Sequence, residues 1–198
     1  NINRINNAKW SRNECQYEMN KTINDILKNN NIEYTDNKND WQLYFPCTYD
    51  NINDEIDKIN IKNPNNKRFF IINNADFLTG KDYLWKYIVD YYGTKRAQLL
   101  MPMTYILSNN NDLQTFKQDY DGNKLYILKK NIQRQEGLKI TDSLNEIINA
   151  QEQGYVIVQE LLQHPYTINN RKINLRFYIL VVCKEKNIDV YVYKDGFM

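Results

Sequence analysis

Hydrophobic and polar positions along this chain switch between two periods, and the switches lay out its elements. Cys15, Met19, Ile23, Ile26 and Leu27 recur at helical spacing, which predicts a helix over residues 14–28 with one face to solvent. A polar loop over 36–40 gives way to apolar residues 41–44, and Pro46 ends that segment. Ile52, Ile56 and Ile59 form one stripe, predicting a short amphipathic helix over 50–60. The run 67–72 predicts a strand, with a turn at 73–76. Thr79 is placed to cap a helix that runs to Tyr92 and stops at Gly93. Residues 98–101 are apolar ahead of Pro102, 112–120 read as a helix with Leu113 and Phe116 inward, and Asp121-Gly122 as a turn. A strand over 124–129, a helix capped at 141–143 and ending near Ala150, and a β-branched strand over 155–159 follow. Then Lys172, Asn174, Arg176 and Tyr178 alternate with Ile173, Leu175, Phe177 and Ile179. Read as a strand, that alternation puts two cations and an amide on one face within about 14 Å. Residues 189–194 predict the last strand, with a solvated hairpin turn at Lys184, Glu185 and Lys186 before it. Strand and helix alternate and then strands take over, which gives a mixed α/β or α+β architecture.

Composition narrows this picture. The chain has 198 residues, 42% of them hydrophobic, so it can bury a core. A net charge of +2 gives no support for a general nucleic-acid or membrane-surface binder. The longest apolar run, 177–183, is too short to cross a bilayer. Cys15, Cys47 and Cys183 are far apart and make no CxxC, which suits a reducing compartment and argues against a disulfide framework or a structural zinc site. The single histidine, His164 beside Pro165, reads as a turn residue, and Trp10, Trp41 and Trp85 read as packing. The 31 asparagines cluster between the periodic segments, so they read as loop residues. The chain starts at Asn1 and stops at Met198 within structured-looking sequence, as a piece of a longer protein would.

The candidate chemistry is cationic. Lys129 stands at a strand end and is followed by a basic, glycine-containing loop over 130–139. An ammonium beside flexible loop N–H groups is one way to hold phosphate, and a merely solvated basic loop is the plainer alternative. About 30 residues later comes the strand ending in Gln159, and then Lys172 and Arg176.

Several segments in this order resemble the tubulin–tyrosine ligase-like family over residues 69–198. Leu78-Thr79-Gly80-Lys81-Asp82-Tyr83-Leu84 is similar to the family's L-x-R-K-x-x-L, with Gly80 in place of Arg. Met101-Pro102-Met103-Thr104-Tyr105-Ile106-Leu107 resembles P-x-T-Y-x-L, and Tyr126-Ile127-Leu128-Lys129-Lys130 resembles W-I-x-K-P. Gly137-Leu138-Lys139-Ile140 is similar to G-x-G-I, Val158-Gln159-Glu160-Leu161-Leu162 to V-Q-x-Y-I, and Lys172-Ile173-Asn174-Leu175-Arg176 to K-F-D-L-R. Residues 191–196 look like the strand and turn before the family's next arginine.

The resemblance implies an ATP-grasp-like fold, incomplete here. An N-terminal extension over 1–40 would precede an N-terminal α/β domain over 41–120, a central subdomain over 121–162, and the start of a C-terminal subdomain over 163–198. It implies ATP as the nucleotide, with Lys129 on the phosphates and the 135–139 loop, including Gln135 and Gly137, closing over them. Gln159 would meet the adenine edge, and the backbone of Glu160, Leu161 and Leu162 would line the adenine pocket. Lys172 would reach the phosphates, Arg176 would stabilise the acyl phosphate, Lys81 would approach from the N-terminal domain, and Asn174 would stand where the family has an aspartate. On this arrangement Lys129 and Lys172 face each other across one cleft, with Gln159 at its inner end. Mg²⁺ is implied too, with ligands past Met198 and none within this chain. The implied activity is ATP-dependent ligation of an amino acid to tubulin by a polyglutamylase, glycylase or tyrosine ligase, in the cytoplasm, cytoskeleton or cilium. The implied partner is an acidic tubulin tail, met by Lys124, Lys130, Arg134, Lys139 and Arg171. A non-catalytic ATP-grasp relic inside an axonemal or other large assembly is the alternative, motivated by Asn174.

Overall fold

A computed structural model describes residues 7–12, 15–47, 55, 59, 66–72, 75–132, 136–184 and 186–196. The chain forms two compact units, Asn1–Asn74 and Ala75–Met198.

The first unit is built on short parallel strands. β1 (Lys9–Ser11) leads to α1 (Lys21–Asn29) and then to β2 (Glu33–Tyr34), which lies parallel to β1. β3 (Leu43–Tyr44) pairs with the other side of β1, and β4 (Arg68–Phe69) with β3, all parallel. α1 starts seven residues later than its periodicity suggests. Asn20 caps it by accepting from the Thr22 N–H, and residues 15–20 are not helical. Trp10, Leu27 and Phe45 form the core, with Met19, Ile23, Ile32 and Leu43 packed against them. Lys67 is buried over the Trp41 ring, 3.6 Å from its centroid, and donates to the Asn39 and Trp41 carbonyls. Burial lowers the affinity of that amine for its proton. The strand expected over 67–72 is only two residues long, matching the two residues of β3 with which it pairs. Most of the helix expected over 50–60 and part of the turn at 73–76 lie outside the described residues.

The cysteine reading is corrected here. Cys15 and Cys47 form a disulfide, with their Cα atoms 5.3 Å apart across 32 positions of sequence. β1 and β3 run side by side in one direction, so the segments leaving them emerge together. Arg12 laces these segments by donating to the carbonyls of Pro46, Cys47, Tyr17 and Glu18. Spacing along the chain is blind to that pairing. Cys183 is free and exposed.

The second unit opens with three helices: α2 (Asp76–Thr79), α3 (Lys81–Tyr92) and α4 (Thr94–Leu100). Thr79 does not cap α3. It ends α2 and its hydroxyl donates back to the Ala75 carbonyl, leaving Gly80 at the start of α3. Gly93, at φ +75°, separates α3 from α4, which carries the residues read from sequence as a bare apolar run.

An antiparallel sheet follows. Its strands are β5 (Thr104–Ile106), β6 (Tyr126–Lys129), β7 (Leu138–Thr141) and β8 (Ile157–Glu160), in the order β5-β8-β6-β7. Between them lie α5 (Asn110–Asp119), capped by Asn109, and α6 (Leu144–Ile148), capped by Ser143, with a 3-10 turn at Ala150–Gln153. Register decides what each sheet face carries. Tyr105 and Leu128 both pair with Val158, so these three point the same way. They join Phe116, Tyr126 and Ile147 in the core. Thr104, Ile127, Lys129, Leu138, Ile140 and Gln159 therefore share the opposite face.

The chain ends in two hairpins. β9 (Thr167–Ile168) pairs with β10 (Arg171–Lys172), and β11 (Ile179–Lys184) with β12 (Asn187–Val192). The pairing of Lys184 with Asn187 puts the second turn where the charged triplet predicts it. The long strand expected from Lys172 onward is corrected. Asn169 and Asn170 both adopt positive φ, the two-residue turn that folds β10 straight back on β9. Beyond Lys172, residues 173–178 carry no continuous strand. Leu175 and Phe177 are as exposed as the polar residues between them, so no buried face holds the register.

Candidate functional site

The core-averted face of the β5-β8-β6-β7 sheet gathers the chemistry. Lys129 is the last residue of β6, and Gln159 lies on the neighbouring strand, diagonal to it. The Lys129 ammonium donates to Gln159 Oε1 at 2.6 Å. Gln159 is 4% exposed, and its Nε2 donates to Thr104 Oγ1 at 2.6 Å on the next strand over. The Thr104 hydroxyl donates in turn to the Pro102 carbonyl at 2.9 Å. A chain of hydrogen bonds thus crosses three strands and ends on a cation.

That cation is not alone. Burial pushes the Lys129 amine below its usual basic range, and the charges of Lys81 and Lys172 push it further. Lys81 at a helix start and Lys172 in a hairpin therefore both lie within electrostatic reach of Lys129, a repulsion that an anion at Lys129 would relieve. On the same face, Leu138 and Ile140 are 44% and 55% exposed, an apolar shelf next to concentrated positive charge.

Lys81 is already engaged. Its ammonium donates to the Lys130 carbonyl at 2.8 Å and the Ile132 carbonyl at 3.2 Å. Its backbone N–H donates to Asn131 Oδ1, and Asn131 Nδ2 donates to Asp82 Oδ1. Asn131 thus caps α3 from fifty residues away, where Gly80 has no side chain to offer. The start of the 130–139 loop is tied to that helix end.

Gly137 closes the loop onto β7, with its carbonyl accepting from the Lys130 N–H at 2.9 Å. Its φ of +65° suits glycine, and an added Cβ would come within 2.8 Å of Lys130 Cβ and 2.9 Å of Ile132 Cδ1. Gly137→Ala is expected to cost about 1–3 kcal/mol of stability, measured by chemical denaturation.

The remaining sequence candidates fall around this centre. Glu160 is exposed and ion-paired with Lys124 at 2.9 Å. The Leu161 N–H donates to the Leu125 carbonyl, and Leu162 is exposed. Asn174 and Arg176 are exposed in the stretch after β10, without the shared strand face expected of them with Lys172. Gln135 and Arg134 lie outside the described residues. Among the basic residues suggested for an acidic tail, Lys139 is paired with Glu146 at 3.1 Å, and the Lys130 ammonium sits 4.9 Å over the Tyr155 ring. Among the described residues, no three His, Cys, Asp or Glu side chains come together as a metal site. None of the described helices is long and apolar enough to cross a membrane.

Sequence reasoning missed Thr104 and Asn131 as parts of this arrangement. Thr104 carried a signal, since it lies in the segment 101–107, but its partner is 55 residues away.

The chain is a mixed α/β protein whose antiparallel sheet carries Lys129 beside the exposed Leu138 and Ile140 on one face. The sequence model of the Tubulin-tyrosine ligase family matches residues 59–198, most of the chain, and the chain belongs to that family. The family points to ATP-dependent ligase activity in general, and the architecture is compatible with part of an ATP-grasp-like fold. No curated protein sequence matches the chain.

Proposed function

We propose that this sheet face binds ATP for an ATP-dependent carboxylate–amine ligase that joins an amino acid to tubulin. The observation that carries the reading is the convergence of Lys81, Lys129 and Lys172, with Lys129 partly stripped of its proton affinity. Cations acting together at Lys129 offset much of the charge of a triphosphate, and the shelf of Leu138 and Ile140 suits the flat face of a purine. In this reaction the acceptor carboxylate oxygen attacks the γ-phosphorus and ADP leaves. The amine nitrogen then attacks the acyl carbon, inorganic phosphate leaves with the bonding electrons, and the amine gives up a proton. Lysines around the phosphoryl oxygens offset charge as it moves between them. Lys129 and Lys172 are assigned this role. Arg176, exposed beyond β10, is assigned the acyl phosphate, and the backbone from Glu160 to Leu162 the adenine edge. Both Gln159 amide atoms are engaged within the chain, so Gln159 serves by holding Lys129.

The sign of the pH dependence follows from Lys129. A bound triphosphate stabilises the ammonium, so binding takes up a proton once the pH exceeds the lowered value of the free protein. ATP affinity is therefore expected to fall as pH rises through the lowered range of Lys129, with the phosphates already ionised. The fall should begin below the usual lysine range, and Lys129→Arg, which keeps its charge, should flatten it. Calorimetric titration across pH, for wild type and Lys129→Arg, measures this. Absence of ATP binding, or an affinity independent of pH in the wild type, rejects the reading. Incorporation of glutamate, glycine or tyrosine into tubulin tests the ligase step. ATP binding without incorporation would favour a structural component that retains the nucleotide site.

A further inference from the structure

Thr104 shares the sheet face of Lys129 but is too buried to meet a ligand itself, yet the hydrogen-bond directions make it decisive there. Its hydroxyl proton goes to the Pro102 carbonyl, so its oxygen is left as an acceptor. An acceptor at that point requires the NH₂ of Gln159 and so turns Oε1 toward Lys129. The opposite orientation would aim an NH₂ group at an ammonium and an oxygen at a lone pair, repulsive at both ends. Thr104 and Gln159 are both buried, at 1% and 4% exposure, so water is poorly placed to replace either bond.

We propose that Thr104 is a positioning residue: through the Gln159 amide it sets the direction and the proton affinity of the Lys129 ammonium. This rests on the ATP reading only for its effect on nucleotide, since the effect on Lys129 stands without it. The arrangement is built in rather than incidental. Thr104 pairs directly with Gln159 across two antiparallel strands, and Gln159 is diagonal to Lys129 across the next pair. Three side chains on one pleated face are thereby brought into contact by register alone. Oε1 stabilises the charged form of Lys129 against burial and against Lys81 and Lys172, and a misdirected amide would leave the ammonium uncompensated.

The test compares Thr104→Val, which keeps the shape and removes the hydroxyl, with Thr104→Ser, which keeps the hydroxyl. The first readout needs no nucleotide: the pH profile of acylation of Lys129 by an amine-selective reagent, followed by mass spectrometry. Thr104→Val should shift that profile to lower pH, because the ammonium has lost its oriented acceptor, and Thr104→Ser should restore it. The second readout is ATP affinity by calorimetry, expected to fall about tenfold in Thr104→Val and to recover in Thr104→Ser. Gln159→Met provides a second route should Thr104→Val fail to fold. It should shift the Lys129 profile the same way, and where both variants fold, the double variant should be no worse than either single one. An unshifted Lys129 profile in a folded variant overturns the relay, whatever happens to ATP. A shifted profile in a protein that never binds ATP upholds the relay and rejects the nucleotide reading.

Discussion

Lys129→Met is expected to reduce ATP affinity by roughly 10- to 150-fold while leaving the protein folded. The estimate is the loss of one charge-assisted contact to phosphate, about 1.5–3 kcal/mol, at about 1.4 kcal/mol per tenfold. The fold should survive because two opposing effects meet at this position. The variant leaves Gln159 Oε1 without its donor, which costs stability. It also removes a half-buried charge that lies within reach of Lys81 and Lys172, which restores some. Methionine fills nearly the same volume, so the packing around β6 changes little. The measurement pairs calorimetric titration of ATP with a thermal melt. An unchanged dissociation constant would remove Lys129 from the phosphate site, and with it the central cation of the cluster.

The largest effect on stability is expected on the other side of the same sheet. Phe116 is 1% exposed on α5 and meets three aromatic rings nearly edge to face: Tyr105 at 5.1 Å, Tyr126 at 5.2 Å and Tyr120 at 6.0 Å between centroids. These rings hold α5 against β5 and β6. Tyr105 is further fixed by its hydroxyl, which donates to Asp119 at 2.9 Å and is held well above the usual phenol range by burial and by that carboxylate. Phe116→Ala would leave a cavity that the rigid rings close poorly, at a cost of about 3–5 kcal/mol. For a chain of this size that is a drop in melting temperature of roughly 6–20 °C. Since Phe116 lies on the core face and Lys129 on the other, ATP affinity measured well below the melt should be nearly unchanged. A loss under about 1 kcal/mol in urea denaturation would mean that α5 is not held by this aromatic cluster.

The two experiments separate the faces of one sheet, and the separation shows where local pattern was informative. α5 was legible because Leu113 and Phe116 recur at helical spacing, a local property. β6 and β8 were legible for the same reason, as short apolar runs bounded by turns. Asparagine abundance was read as loop filler, and its turn chemistry was underestimated. All four non-glycine residues with positive φ among the described ones are asparagines, and Asn20, Asn109 and Asn131 cap helices. The alternation after Lys172 misled, because a period of two specifies a strand only where one face is buried, and here neither is.

The amino-acid sequence by itself determined α3, α5, β6 and β8, the inward Leu113 and Phe116, the presence of Lys81, Lys129 and Lys172, and the family resemblance. Each depends on residue identity and near-neighbour spacing. Tertiary structure alone decided which groups meet: Cys15 with Cys47, Asn131 with the start of α3, Thr104 with Gln159, and Lys129 with the charges of Lys81 and Lys172. These partners are separated by tens of residues, and the contacts come from strand register and chain crossing. A proton affinity such as that of Lys129 depends on burial and on neighbouring charge, and both come into being only when the chain is folded.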